Sequence, residues 1–418
     1  MKIRIDHIAK IEGHAGFVAS ILDGNVRKAK IEIQEGARLI EGILISRRFW
    51  EAPIITARIC GLCPVAHNLT ALKALEAALG IKVSDQTIML RKLMLAGQII
   101  HSHSLHLFFL SLPDFFNLEN DLKLIKKYPE ETKAAFRVRN FGTKIIKTIG
   151  GRIIHPITPE IGGFKKLPSK NELLNLIKDY EKVWDSALIL AELFKKIRCP
   201  KFERETEYIS LGSKKEYAFY DGAITSNQGL GISPEKFEQN IKEIQKPYQV
   251  VKEIDYFGKT FMVGALSRIN NNYQFLNQEA KKIWEDFNQK IPVYNIFYNI
   301  FAQAIEIIHF IEESKKIIDR LSKMKLRDER KRIKIKTGRG TGATEAPRGT
   351  LYHFYSLDQE GRILDCDIIT PTAQFLTNLE EDLKAYLPNI LSLPSLERKK
   401  KIKALIRTYD PCISCAVH

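Results

Sequence analysis

The sequence predicts a mainly α-helical protein with small β elements near both termini, an α+β chain built around long buried helices. Three observations carry this. Residues 86–112 set Leu90, Leu93, Met94, Ile99, Ile100, Leu107 and Phe108 on a wide apolar stripe, the pattern of a deeply buried helix. Residues 17–33 and 351–369 each read as two strands around a tight turn. Hydrophobic residues make up 44% of the 418, enough for a sizeable core, and no internal repeat or low-complexity tract interrupts the chain.

In order along the chain, Phe17, Ala19 and Ile21, then Val26, Ile31 and Ile33, alternate about Asp23-Gly24-Asn25 as a hairpin. Helices are expected over 69–79, 86–112, 170–197, 274–288 and 295–325, with Asn270-Asn271-Asn272 as a turn between two of them. The character changes after about residue 335. Gly338-Arg339-Gly340-Thr341-Gly342 reads as a loop. Residues 351–357 and 363–369 flank Asp358-Gln359-Glu360-Gly361 as a second hairpin, and short helices follow over 373–387 and 395–407.

The net charge of +16 raises the question of a nucleic-acid partner. Lysine is spread along the chain, with short runs at Lys399-Lys400-Lys401 and Arg330-Lys331-Arg332. No helix-turn-helix, zinc-finger or aromatic-basic RNA motif accompanies it, so the charge reads as a solvated surface and no nucleic acid is expected. No run of about 18 apolar residues is seen, so no transmembrane helix is expected. Met1-Lys2-Ile3-Arg4-Ile5-Asp6 is not a signal peptide. Six cysteines, four of them in close pairs, then point to metal chemistry in a reducing compartment, with cytoplasmic localisation.

The pairs are Cys60 and Cys63 in Arg58-Ile59-Cys60-Gly61-Leu62-Cys63, and Cys412 and Cys415 in Asp410-Pro411-Cys412-Ile413-Ser414-Cys415-Ala416-Val417-His418. They can meet only if the fold brings both ends of the chain to one point. That favours a single integrated domain over 1–418: a hairpin and first cysteine pair in 1–80, a helical core in 81–335, and a hairpin and second pair in 336–418. Four thiolates form a soft-metal site. A structural zinc site is the bland alternative, but its pairs are usually close in sequence and stabilise a small unit. Cys199 and Cys366 fall in no ligand motif and read as buried apolar residues.

The two motifs resemble the RxCGxC and DPCxxCxxH signatures of the large, catalytic subunit of nickel–iron hydrogenases, and further motifs of that family lie between and before them. The resemblance implies the hydrogenase large-subunit fold and reversible heterolytic cleavage of H2. It implies a nickel–iron centre with Cys60 and Cys412 as terminal nickel ligands and Cys63 and Cys415 as bridging ones, with cyanide and carbon monoxide on the iron. His67 matches a family histidine that hydrogen-bonds a bridging sulfur. Ile11-Glu12-Gly13-His14 matches a motif whose glutamate relays protons from the terminal cysteine, here Cys412. Thr344-Glu345-Ala346-Pro347-Arg348-Gly349 matches a segment whose arginine overhangs the open metal position beside Pro347. Asp114 and Asp410 match the carboxylates around that arginine. Thr372, in Pro371-Thr372, matches a donor to cyanide, although the family asparagine that follows is replaced by Gln374-Phe375. His418 and Glu41 match the ligands of a second ion, magnesium or iron.

His101, His103 and His106 suggest another metal, but the resemblance makes His103 and His106 packing and hydrogen-bonding residues. The glycines at 338, 340 and 342 lack the lysine and βαβ setting of a phosphate cradle. No further CxxC remains for an electron relay, so the resemblance implies an iron–sulfur small subunit as partner. The opening segment and Ile369-Thr370-Pro371-Thr372 look most like the cytosolic subgroup coupled to NAD(P), including sulfhydrogenases, with a diaphorase or other acceptor subunit beyond. A hydrogen sensor with little turnover, and a deazaflavin- or heterodisulfide-linked hydrogenase, are the alternatives.

Overall fold

The computed structural model describes residues 1–118, 121–244, 249–330 and 332–418; Lys331, in the second basic run, lies outside the described residues. Helices dominate, and both hairpins form. The first belongs to a three-stranded antiparallel sheet of Lys2–Ile5, Ala15–Leu22 and Asn25–Ile33. The second, Gly349–Leu357 with Ile363–Ile369, also gains a strand, because Gly338–Ala346 pairs antiparallel along all of Gly349–Leu357.

The glycine-rich segment is therefore a strand, not the expected loop. Its alternate glycines face the helix Pro64–Leu79. A Cβ on Gly338, Gly340 or Gly342 would stand 2.0, 2.3 or 2.6 Å from the backbone oxygen of Ala78, Ala74 or Thr70. Only a strand without side chains on that face lies this close to a helix. Gly340→Ala is expected to force strand and helix apart and destabilise the fold by about 1–3 kcal/mol. Chemical denaturation measures this, and a wild-type midpoint would mean that the strand slides freely on the helix.

That helix starts directly after Cys63, with Pro64 at its first position. The next, Asp85–Leu105, is capped by Ser84, whose hydroxyl accepts from the Thr87 N–H. It runs on through a π-helical turn, His106–Ser111, into Leu112–Phe115. Against the expectation from apolar runs, Asp85–Phe115 is long and apolar enough to cross a membrane. However, 83% of its apolar window is buried within the protein. It is packed by Pro129–Gly150, which the sequence reading did not include, and by Asn299–Lys323.

Residues 170–197 form two helices, Lys170–Ile177 and Tyr180–Lys195. The central part also holds an unexpected four-stranded sheet around Glu207–Gly212, whose six residues are all buried and so do not alternate. Asn270, Asn271 and Asn272 end the helix Ala265–Asn272 instead of forming a turn. Their amides bond outward, to Val293 O, Tyr208 O and Leu211 O, which satisfies side chains that would otherwise disfavour a helix.

The chain ends are tied together. Arg407 Nε donates to Ala9 O (2.8 Å), Ile413 N to Glu12 O (3.0 Å) and Arg38 N to Val417 O (2.8 Å).

Candidate metal centre

These ties bring the two cysteine pairs to one point. Cys60 Sγ lies 3.3 Å from Cys412 Sγ, Cys63 Sγ 3.2 Å from Cys415 Sγ, and Cys412 Sγ 2.9 Å from Cys415 Sγ. All four are buried, none is in a disulfide, and the sulfurs lie within 4.8 Å of one another. Burial pushes the Cys412 and Cys415 thiols well above their ordinary pKa. A soft cation removes that obstacle by taking the thiolates as ligands. The donor set therefore fits a nickel–iron pair. The other two thiols, Cys199 and Cys366, belong to no such cluster among the described residues, and burial pushes each up to about 12.

Glu12 reaches the cluster through a parallel bridge to Cys412. Its Oε2 lies 3.0 Å from Cys412 Sγ and accepts from Ser414 N at 3.0 Å. The bridge needs Gly13: φ is +83°, and a Cβ there would stand 2.6 Å from Ile413 Cβ. Glu12 is itself half-buried, between the enclosed sulfur and the exposed His14.

Arg348 stands over the same cluster. Its Nε donates to Asp410 O (2.7 Å) and its Nη2 to Asp410 Oδ1 (2.8 Å). Burial opposes its charge, but Asp410 and the sulfurs of Cys412, Cys60 and Cys63 hold it firmly protonated. Its Nη1 is buried with no hydrogen-bond partner, a donor left unused by the protein. Asp410 takes the left-handed conformation at φ 53°, the kind of backbone strain that clusters at functional sites.

Among the described residues Asp114 makes no ion pair with Arg348. Both its oxygens accept from Arg407 Nη1 at 2.6 Å. Arg407 projects from the helix Ser395–Thr408 across Leu112–Phe115, and Asp410 already takes two Arg348 N–H groups. Asp114 thus secures the segment leading to Asp410. Thr372, near the start of the helix Pro371–Tyr386, accepts from Cys412 N at 3.0 Å and keeps its own proton free to donate.

His67 Nε2 lies 3.8 Å from Cys415 Sγ, and its Nδ1 lies 3.2 Å from His353 Nε2. His353 Nδ1 in turn lies 2.9 Å from the Tyr355 hydroxyl. Burial holds His353 well below its ordinary pKa, so its ring is neutral.

The resemblance to the family pointed to Glu41 and His418. Their atoms Oε1 and Nε2 lie 3.7 Å apart. Oxygens of Glu41, Glu243 and Asp367 also lie within 4.8 Å of one another, and no motif pointed to the last two. Asp367 Oδ1 and His418 Nε2 are buried without hydrogen-bond partners, which fits a hard divalent ion. Lys252 joins the group, bonded to Glu243 and 3.2 Å from Glu41 Oε2. Burial pushes Asp367 up to about 7 beside Glu243 and Glu41, while His418 and Lys252 outweigh burial at Glu41 and hold it at about 2.

Arg268, Glu306 and Gln303 had no local signal. Arg268, fully buried, donates to both Glu306 oxygens (2.6 and 2.7 Å), to Glu345 Oε2 (2.9 Å), and to Ala346 O and Pro347 O (both 3.0 Å). It therefore holds the backbone that carries Arg348. His103 lies 2.7 Å from Glu306, and His106 lies 2.6 Å from Gln303 and 2.8 Å from Arg407 O. Both histidines serve hydrogen bonding. Among the described residues they form no metal cluster.

Residues 38–163 and 186–418 match the nickel-dependent hydrogenase family. The chain is 36% identical to the sulfhydrogenase 1 alpha subunit of Pyrococcus furiosus, over 100% of this chain and 98% of that one. It is 27% identical to the beta subunit of the NAD-reducing hydrogenase of Cupriavidus necator, over 100% of this chain and 94% of the relative. The crystal structure of an NAD+-reducing [NiFe]-hydrogenase in the H2-reduced state superposes with a TM-score of 0.90 at 26% identity, covering 100% of this chain and 99% of that one. With four buried sulfurs at the point where its ends meet, this chain belongs to the nickel-dependent hydrogenase family, as a large catalytic subunit that cleaves H2.

Proposed function

We propose that the chain delivers the electrons of H2 through an iron–sulfur small subunit, and through further acceptor subunits such as a diaphorase, to NAD(P) in the cytoplasm. The carrying observation is the pairing of four soft ligands with one carboxylate, Glu12, at 3.0 Å from a single sulfur, Cys412. When bound, the nickel–iron pair, its iron carrying cyanide and carbon monoxide, supplies the redox chemistry that splits H2 heterolytically. Cys412 holds the released proton at its sulfur, and Glu12 carries it from that buried position toward the surface. Arg348, kept charged and rigid by Asp410, presents its spare N–H over the site, and Pro347 lines it. His67 would donate to a metal-bound Cys415, and Thr372 would donate its free proton to a diatomic ligand. Glu41 and His418, with Glu243 and Asp367 around them, would hold a magnesium or iron ion. Residues 1–418 act as one domain, because both ends supply the site.

An apolar face supports the small-subunit partner. Ile43, Trp50 and Ile54, 46%, 50% and 43% exposed, lie on the segment leading into Cys60. Ile153, Ile154 and Ile157 join them where His155 Nδ1 meets Ala57 O at 2.9 Å. Exposed apolar residues grouped beside a redox centre mark a protein-docking face. The alpha- and beta-subunit status of the relatives favours this partner. Coexpression with an iron–sulfur subunit should give a complex containing nickel and iron that reduces NAD+ or NADP+ under H2. A complex that reduces only artificial dyes would overturn the acceptor, and one holding zinc alone would overturn the centre.

A further inference from the structure

The hydrogen bond between His67 and Cys415 does not end at His67. Two more buried groups continue it on the far side. His353 and Tyr355 lie two residues apart on the strand Gly349–Leu357 and so share a face. His67 comes from the helix Pro64–Leu79. All three side chains are enclosed, with residue exposures of 1%, 0% and 0%. The rings of His67 and His353 meet edge-on, 5.4 Å between centroids.

We infer that Tyr355 is the terminal donor of a one-way hydrogen-bond chain, Tyr355 to His353 to His67 to Cys415, and that it is a positioning residue for the bridging sulfur. The direction follows from the number of protons. A neutral imidazole has one N–H and one lone pair. A metal-bound Cys415 is a thiolate and only accepts, so His67 presents its N–H at Nε2. Its Nδ1 is then a lone pair and takes the proton of His353 Nε2. His353 Nδ1 becomes the acceptor, and only the Tyr355 hydroxyl can fill it. The reverse order would set the His67 lone pair against the sulfur. Each link polarises the next in a dry interior, so Tyr355 strengthens a bond made two residues away from it.

One competitor lies at the far end. The Thr56 hydroxyl faces Tyr355 and gives its own proton to Ala52 O at 2.9 Å, so its oxygen is open to the tyrosine proton. If Tyr355 donated there, the chain would run backwards.

Neutron diffraction of the metal-loaded complex decides the direction. Deuterons are expected on His67 Nε2 and His353 Nε2, with that of Tyr355 pointing at His353. A deuteron on His353 Nδ1, or a tyrosine deuteron pointing at Thr56, overturns the proposal. Infrared spectra of the same complex supply the second arm. A sulfur that loses hydrogen-bond donation returns charge to iron, so Tyr355→Phe should move the carbonyl band to lower frequency. The shift should have the sign seen in His353→Gln and be smaller. Unmoved bands in Tyr355→Phe overturn the role. The inference rests on the nickel–iron reading. That reading fails separately, if the wild-type complex gives no carbonyl band and no nickel.

Discussion

Glu12→Gln is expected to leave nickel and iron in place while slowing hydrogen–deuterium exchange by about 100- to 10,000-fold, the usual span for loss of a positioned acid–base group. The substitution keeps shape and volume. A glutamine oxygen still accepts from Ser414 N, and the bridge at Cys412 depends on the backbone and on Gly13. What disappears is a site that takes and releases a proton 3.0 Å from Cys412 Sγ. Metal analysis and the exchange assay together separate the two effects. Retained metals with unchanged exchange would remove Glu12 from the proton route.

Arg268→Met should cost about 3–5 kcal/mol, because it leaves two buried carboxylates without their cation. That is a large share of the stability of a typical protein. Glu306 and Glu345 are fully enclosed, and Arg268 is the only arginine or lysine paired with them among the described residues. Burial raises the Glu306 pKa, but Arg268 and His103 overcome it and hold Glu306 well below the usual carboxylate range. In the wild type its contribution is therefore complete above the unfolded pKa of about 4.3 and is lost as pH falls through the lower folded value. In Arg268→Met the sign reverses. The orphaned carboxylate has a raised pKa, so this variant should become more stable relative to wild type as the medium is acidified. Denaturation midpoints over a pH series test this, and a gap between variant and wild type that does not change with pH would refute it. The loop carrying Arg348 also loses two backbone anchors, at Ala346 O and Pro347 O.

The centre was legible because its chemistry is written in short motifs. Two cysteines at the spacing of one turn, a glutamate before a glycine and an arginine after a proline each place a reactive group on the page. What supports them is not local. Arg268, Glu306 and His353 come from three different elements, and only the fold brings them to the site. The pairing of Asp114 with Arg407 was not legible for the same reason: a motif names a carboxylate but not every arginine that reaches it. The glycines at 338, 340 and 342 read as a loop, whereas they form a strand whose closeness to a helix demands them. Glu207–Gly212 was invisible because a strand buried on both faces loses its alternation. Pro129–Gly150 carries local signals, a proline at its first position and Gly151 just past its end, but no short motif that marks it.

The distance in sequence between Cys63 and Cys412 also bears on synthesis. A nascent chain whose second thiol pair is still inside the ribosome offers an incoming metal two sulfurs, and Glu12 has no Cys412 backbone to align it. Closing so long a loop costs more chain entropy than forming the local helices and hairpins between. A complete pocket for nickel therefore requires that Cys412 and Cys415 have been made, and a product terminated before them has only half of it.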